Sequence, residues 1–252
     1  MSPIAVSWIM FACVFGGALF GMFLRATLPE HHQNTDSKDV LKLLIGLIGT
    51  MTALVIGLLI ATAASSYATR RSEFTQMSAG IVLLDRELAH YGPETKEVRD
   101  LLRRVVTREL QVTWSETGTS PHAKFDPSAA RADVLFDKIQ ELEPRNDVQR
   151  SLKAQLLTTT ISLGQTRWLL FEQSGSSIPI PFLVVLVIWL SLIFASFGLF
   201  APPNATVVVA LLLGALSVSG AIFLILELDL PFEGLIRISD EPLRKALAHL
   251  GQ

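Results

Sequence analysis

SGSSIPIPFLVVLVIWLSLIFASFGLFAPPNATVVVALLLGALSVSGAIFLIL, residues 174–226, contains no charged side chain, and its apolar run is broken only at Pro202-Pro203-Asn204. A helix needs roughly 20 apolar residues to cross a hydrocarbon core about 30 Å thick. The stretch therefore predicts two membrane-crossing helices joined by a tight turn. A second pair lies at the other end of the chain, because Met1 to Leu24 and Leu43 to Thr69 are also free of charge. Lipid offers no partner for a bare backbone, so spanning segments are helices or closed barrels. Uninterrupted apolar runs lack the alternation of a barrel strand. Met1 to Leu24 has no basic start and exceeds the roughly 7 to 15 apolar residues of a signal-peptide core, so a retained helix is expected.

Composition points the same way. Half of the residues are hydrophobic and 17% are charged, against roughly 25% charged in a soluble domain. A net charge of -2 argues for no nucleic-acid partner. Cys13 is the single cysteine, which excludes an internal disulfide or a thiolate metal cluster.

The expected fold is an all-α integral membrane protein. It has four transmembrane helices and a helical cytoplasmic domain inserted between the second and third. Residues 1–64 form the first hairpin, 65–177 the cytoplasmic domain, 178–228 the second hairpin and 229–252 a cytoplasmic C-terminal segment. Orientation follows from basic flanks. Arg70-Arg71 close the second run, and Arg237, Arg244 and Lys245 follow the fourth. The turn at residues 202–204 is uncharged, and the basic residues of the link Arg25 to Lys42 are diluted by acids. Both termini are thus expected in the cytoplasm, and the membrane is the cell inner membrane.

Phe74, Met77, Ile81, Leu84, Leu88 and Tyr91 step by three and four, the seam of a helix packed on another. With no break after the second apolar run, one helix is expected from about Val40 to Tyr91, stopped by Gly92-Pro93 at a left-handed cap. A second helix, Glu94 to Trp114, carries Val98, Leu101, Leu102, Val105 and Val112 on one face. On the other are Arg99, Arg103, Arg104 and Arg108, read as a solvated face with intrahelical pairs. Ser115 to Asp126 is the expected loop, with Asp126-Pro127 as a cap. A short helix through Leu135, Ile139 and Leu142 precedes a long one from Asn146 to Phe171, on which Trp168 suits an interfacial belt. Ser239 to Leu250 forms a terminal helix packing through Leu243, Leu247 and Leu250. The domain holds fifteen basic and fifteen acidic residues, so it is neutral.

Two features carry candidate function. Gly49, Ala53, Gly57, Ala61 and Ser65 recur at intervals of four, which allows close helix packing inside the subunit or in an oligomer. The neighbouring stripe, Thr52, Ile56 and Ile60, would then line a narrow apolar pore able to gate by dewetting. Glu227 and Asp229 follow the fourth run directly. They are read as water-reached boundary residues, as partners of Arg70 or Arg71, or as a cation site. His31-His32, His90, His122 and His249 lack metal spacing, and no nucleophile or phosphate-loop motif is present, so neither enzyme activity, a metal nor a cofactor is expected.

The Gly-rich second helix running into Tyr67, Arg70-Arg71 and Glu73, together with the segment Leu226 to Gly234, resembles the bestrophin-like family of bacterial membrane proteins. Asp229 to Gly234, Asp-Leu-Pro-Phe-x-Gly, is the most telling match. More distantly the chain is similar to the bestrophins. That resemblance implies an ion channel built as a homo-oligomer, five subunits by analogy, with the second membrane helix lining a central pore. Its partners would be its own copies, membrane lipid and inorganic ions. Bestrophin calcium sites rest on consecutive acids. Here Glu227, Asp229 and Glu233 are interleaved with apolar residues, so calcium gating is not carried over. The alternative is a membrane-anchored sensor or scaffold binding a partner through the seam around Leu84 and Leu88.

Overall fold

The computed structural model describes residues 2–27, 35–114, 131–173, 178–202, 204–232 and 234–251, with the side chains of 35–39, 112–113 and 131–133 left aside. The expected loop Ser115 to Asp126, the cap Asp126-Pro127, His31-His32, His122 and Glu233 lie outside the described residues. All regular structure among the described residues is helical: α1 Pro3–Thr27, α2 Thr35–Tyr91, α3 Lys96–Thr113, α4 Arg131–Gln140, α5 Asp147–Glu172, α6 Ile180–Phe200, α7 Ala205–Asp229 and α8 Glu241–His249. Four of these, α1, α2, α6 and α7, are long and apolar enough to cross a membrane. The chain divides into two compact units, Met1–Ser66 with Ser176–Asp229, and Tyr67–Gly175 with Leu230–Gln252.

The first unit is held by backbone contact. A Cβ placed on Gly17 would lie 2.9 Å from the Ser191 carbonyl oxygen, one on Gly21 would overlap the Ala195 carbonyl, and one on Gly198 would overlap the Ala18 carbonyl. Gly17 meets Ser191 and Gly21 meets Ala195, four residues further along both helices, so α1 and α6 run parallel in close backbone contact. At their shared end Arg25 donates to the carbonyls of Phe200, at 3.1 Å, and Ala201. A cation there satisfies and neutralises the C-terminal end of α6. α7 runs antiparallel to α1, with Ser219 Oγ donating to the Ser7 carbonyl at 2.6 Å. The Asn204 side chain accepts from the Val207 N–H at 2.8 Å and caps the start of α7. Only residues 28–34 separate α1 from α2. Such a link reaches at most about 29 Å, less than the about 37 Å length of α1. α2 therefore begins at the end of this unit where α1 stops.

The second unit is built around the seam. All six residues from Phe74 to Tyr91 are buried, Leu84 and Leu88 completely. They meet Val98, Leu102 and Val106 of α3, Leu135 and Ile139 of α4, Leu156 and Leu170 of α5, and Leu243 of α8. Each such side chain contributes about 1.5–3 kcal/mol by leaving water. The seam is closed by helices of the same chain, so Leu84 and Leu88 do not reach its surface. Val106 completes the buried stripe of α3, with Leu101 and Val105 half-buried at its margins, while the side chain of Val112 lies outside the described residues. On α8, Leu243 and Leu250 are buried and Leu247 packs against the same core, as the terminal-helix reading expects.

α2 begins five residues before the expected Val40 and stops at Tyr91 as expected. Gly92 has φ 141° and ψ 179°, an extended positive-φ conformation essentially reserved for glycine, and not the left-handed cap anticipated. The last carbonyls of α2 are then served from elsewhere. Thr95 Oγ1 donates to the Leu88 carbonyl at 2.6 Å, and Gln149 Nε2 to the Tyr91 carbonyl at 3.0 Å. Asn146 caps α5 by accepting from the Gln149 N–H at 2.8 Å, so one glutamine ties the end of α2 to the start of α5. Gly92→Ala should lower the melting stability of the purified chain by about 1–2 kcal/mol, readable by thermal unfolding in detergent.

Arg99 leaves the solvated face assigned to it. Its Nε and Nη2 donate to Asp85 Oδ1 and Oδ2 at 2.7 and 2.8 Å, and the Gly251 N–H adds a third bond to Oδ2 at 3.1 Å. Arg103, Arg104 and Arg108 stay exposed. Asp85 lies beyond the apolar stretch of α2. Burial alone would push its carboxyl upward, but the Arg99 and Gly251 hydrogen bonds and the Arg99 charge hold it below the usual carboxylate range. A depressed native pKa gives stability that is present above the unfolded value of about 3.9 and lost as pH falls through the native one. Melting curves taken from pH 7 downward should therefore show Asp85→Asn losing less stability below about pH 4 than the native chain.

Candidate functional site

The apolar part of α2 differs from the other three spans. Only 6% of its most hydrophobic window is buried, against 22% for α1 and 28% for both α6 and α7. A helix turns 100° per residue, so its faces can be read in order. Ile45, Ile48, Thr52, Val55, Ile56, Leu59 and Ala63 form the face toward the first unit's core. Beside it runs a sector of small residues, Gly46, Gly49, Ala53, Gly57 and Ala64, in which Ile60 is the one bulky side chain. Leu44, Leu47, Met51, Leu54 and Leu58 occupy the remaining sector and are all exposed.

This layout divides the residues expected to line a pore. Thr52 is 3% exposed, and its hydroxyl donates back to the Ile48 carbonyl at 2.7 Å. Ile56 packs on the same core. Both belong to the bundle interior, whereas Ile60 is 41% exposed. The small residues expected to pack are the ones left open. Ala53, Gly57, Ala61 and Ser65 are exposed and Gly49 half-buried, and a Cβ on Gly46, Gly49 or Gly57 would meet nothing within 4 Å. Among the described residues, close backbone packing of this kind occurs between α1 and α6. Gly17-x-x-x-Gly21 and Ser191-x-x-x-Ala195 are the sequence signal for it.

Glu227 and Asp229 are 2% and 1% exposed. That burial overturns the reading in which water reaches both at a helix boundary. Among the described residues no group of three or more His, Cys, Asp or Glu side chains is placed to hold a metal ion. In the segment that follows, the Pro231 carbonyl accepts from the Ile238 N–H at 2.7 Å. Phe232 joins Phe74 and Trp114 in an aromatic cluster with centroid separations of 5.2 to 6.4 Å, and Trp114 Nε1 donates to the Ile238 carbonyl at 3.1 Å. Phe232 therefore packs against the core of the second unit.

Residues 12–243 match the family model described as the Bestrophin-like domain. The chain belongs to the bestrophin-like family. No curated protein and no solved structure matches the chain. The match runs from α1 into α8, so the bestrophin-like domain takes in both units, and the uncovered face of α2 belongs to it. With four helices able to cross a bilayer, this bestrophin-like chain is a membrane protein.

Proposed function

We propose that the protein is a homo-oligomeric ion channel of the cell inner membrane, with the small-residue sector of α2 facing a central pore. The observation that carries this reading is the exposure of that sector, in a family related to ion channels. One helix cannot enclose a pore, so several copies must each contribute α2. Gly49, Ala53 and Gly57 allow their close approach, and Ile60 supplies an apolar ring that gates by dewetting. Thr52 and Ile56 anchor the helix to its own bundle. The parallel course of α1 and α6 supports a topology in which both start on one side, and the basic flanks Arg70-Arg71, Arg237, Arg244 and Lys245 favour the cytoplasm for that side and for both termini. The permeant species is a small inorganic ion.

The test is flux through the purified full-length chain in liposomes of phosphatidylethanolamine and phosphatidylglycerol. A potassium or chloride gradient should dissipate faster than in empty vesicles, and Ile60→Ala should raise the rate further. Correctly folded oligomers that pass neither ion would contradict the proposal.

A further inference from the structure

Arg103, Arg104 and Arg108 are exposed on α3, and among the described residues no acid pairs with any of them. Elsewhere on the second unit Arg145 is met by Glu94 at 3.5 Å, Arg150 by Asp147 at 2.7 Å and Lys245 by Glu241 at 2.7 Å. The intrahelical pairs expected on the α3 face do not form. Asp100 stands three and four residues before Arg103 and Arg104, the spacing at which helix pairs meet, and bonds to neither. Arg104 and Arg108 are themselves four residues apart, where like charges repel. The three cations are thus left uncompensated within the chain, and only an added anion relieves them.

These arginines border a shallow, solvent-open cleft of about 470 Å³, together with Asp100, Thr107 and Gln111. Thr107 gives its hydroxyl proton to the Arg103 carbonyl at 2.8 Å, so the donors facing the cleft are the guanidiniums and the Gln111 amide. A guanidinium is a planar fork that matches phosphate oxygens two at a time. Two such forks one turn apart, about 5.4 Å along the axis, suit successive phosphates better than a single charge. The acids on the same face decide between a compact anion and a broad one. Glu97 and Asp100 are exposed one and two turns before Arg104 and Arg108, so a bilayer of anionic headgroups laid over this face would meet both and be repelled, whereas a compact anion sits clear of Glu97. No aromatic side chain lines the cleft, so nothing there stacks a nucleobase.

We propose that this cleft binds a soluble oligophosphate anion, with Arg104 and Arg108 on neighbouring phosphates and Arg103 and Gln111 at the flanks. The site is independent of the pore reading, since α3 alone supplies it. The probe is sodium tripolyphosphate, titrated calorimetrically into the full-length protein in nanodiscs of phosphatidylcholine at low ionic strength. Saturable binding is expected, with ATP and GTP binding alike because the phosphate chain is read and the base is not. Arg104→Ala and Arg108→Ala should each weaken it roughly tenfold, the value of one charge-assisted hydrogen bond. Asp100→Asn, which removes a like charge from the rim, should tighten it, and Arg150→Ala, an exposed arginine elsewhere, should leave it unchanged. All four side chains are exposed, so these variants retain the fold. A soluble short-chain phosphatidylglycerol should fail to displace the probe at concentrations where pyrophosphate does. Absence of saturable binding, a loss in Arg150→Ala equal to that in Arg104→Ala, or displacement by the short-chain lipid as strong as by pyrophosphate would overturn the proposal.

Discussion

Gly21→Leu is expected to prevent assembly of the first unit. The new side chain would start inside the Ala195 carbonyl, and no rotamer avoids a clash that begins at Cβ. The backbones of α1 and α6 would have to separate, which also opens the Gly17–Ser191 and Ala18–Gly198 contacts and draws Arg25 away from the end of α6. Overpacking of this kind costs about 3 kcal/mol or more, a large part of the 5–15 kcal/mol by which a domain is stable. Gly198→Val should act alike. Gly16, next to Gly17 on α1, is the control: a Cβ there meets nothing within 4 Å, so Gly16→Leu should purify as well as the native chain. Recovery of monodisperse protein and its melting temperature in detergent measure the difference.

Gly57→Leu is expected to do the reverse, sparing the subunit and abolishing flux. Among the described residues nothing lies within 4 Å of a Cβ placed there, and leucine is a better helix former than glycine by up to about 1 kcal/mol. Stability of the isolated subunit should hold or rise. In an oligomer with the small sector of α2 at the axis, one added isobutyl group per copy narrows a path already lined by Ile60, and conduction should fall at least about tenfold with helix content unchanged. Unchanged flux together with an unchanged subunit would place Gly57 toward lipid and away from any pore. The two substitutions thus separate packing within the chain from the proposed pore, although both glycines sit in apolar helices with small neighbours four residues away.

Why the sequence yielded some of this and not the rest is visible in particular residues. The stepping from Phe74 to Tyr91 announced a buried seam, because a strict alternation of threes and fours in a polar context has little use but packing. The four spans followed from length and absence of charge. The small stripe from Gly49 to Ser65 was legible as a face open to close approach. Its spacing says nothing about which neighbour approaches, and the same periodicity points Thr52 toward a pore while its neighbours in space make it interior. Gly17 and Gly21 carry the same signal inside the first run, where hydropathy alone does not single them out. Arg99 departs from its periodicity for another reason. Helix periodicity puts it among the exposed arginines, while a long side chain can reach a buried carboxylate on the next helix, and Asp85 gave no local sign of needing it. The burial of Glu227 and Asp229 likewise depends on surroundings that two letters in a helix terminus do not encode.

Thiol modification during flux tests the central claim most directly. In a Cys13→Ser background, Gly57→Cys and Thr52→Cys variants would be reconstituted separately in liposomes and treated with a charged, membrane-impermeant methanethiosulfonate while ion flux is recorded. The account predicts that the reagent stops flux through Gly57→Cys and leaves Thr52→Cys unaffected, because the first position faces the axis and the second is buried against its own bundle. Block at position 52 with none at position 57 would contradict it.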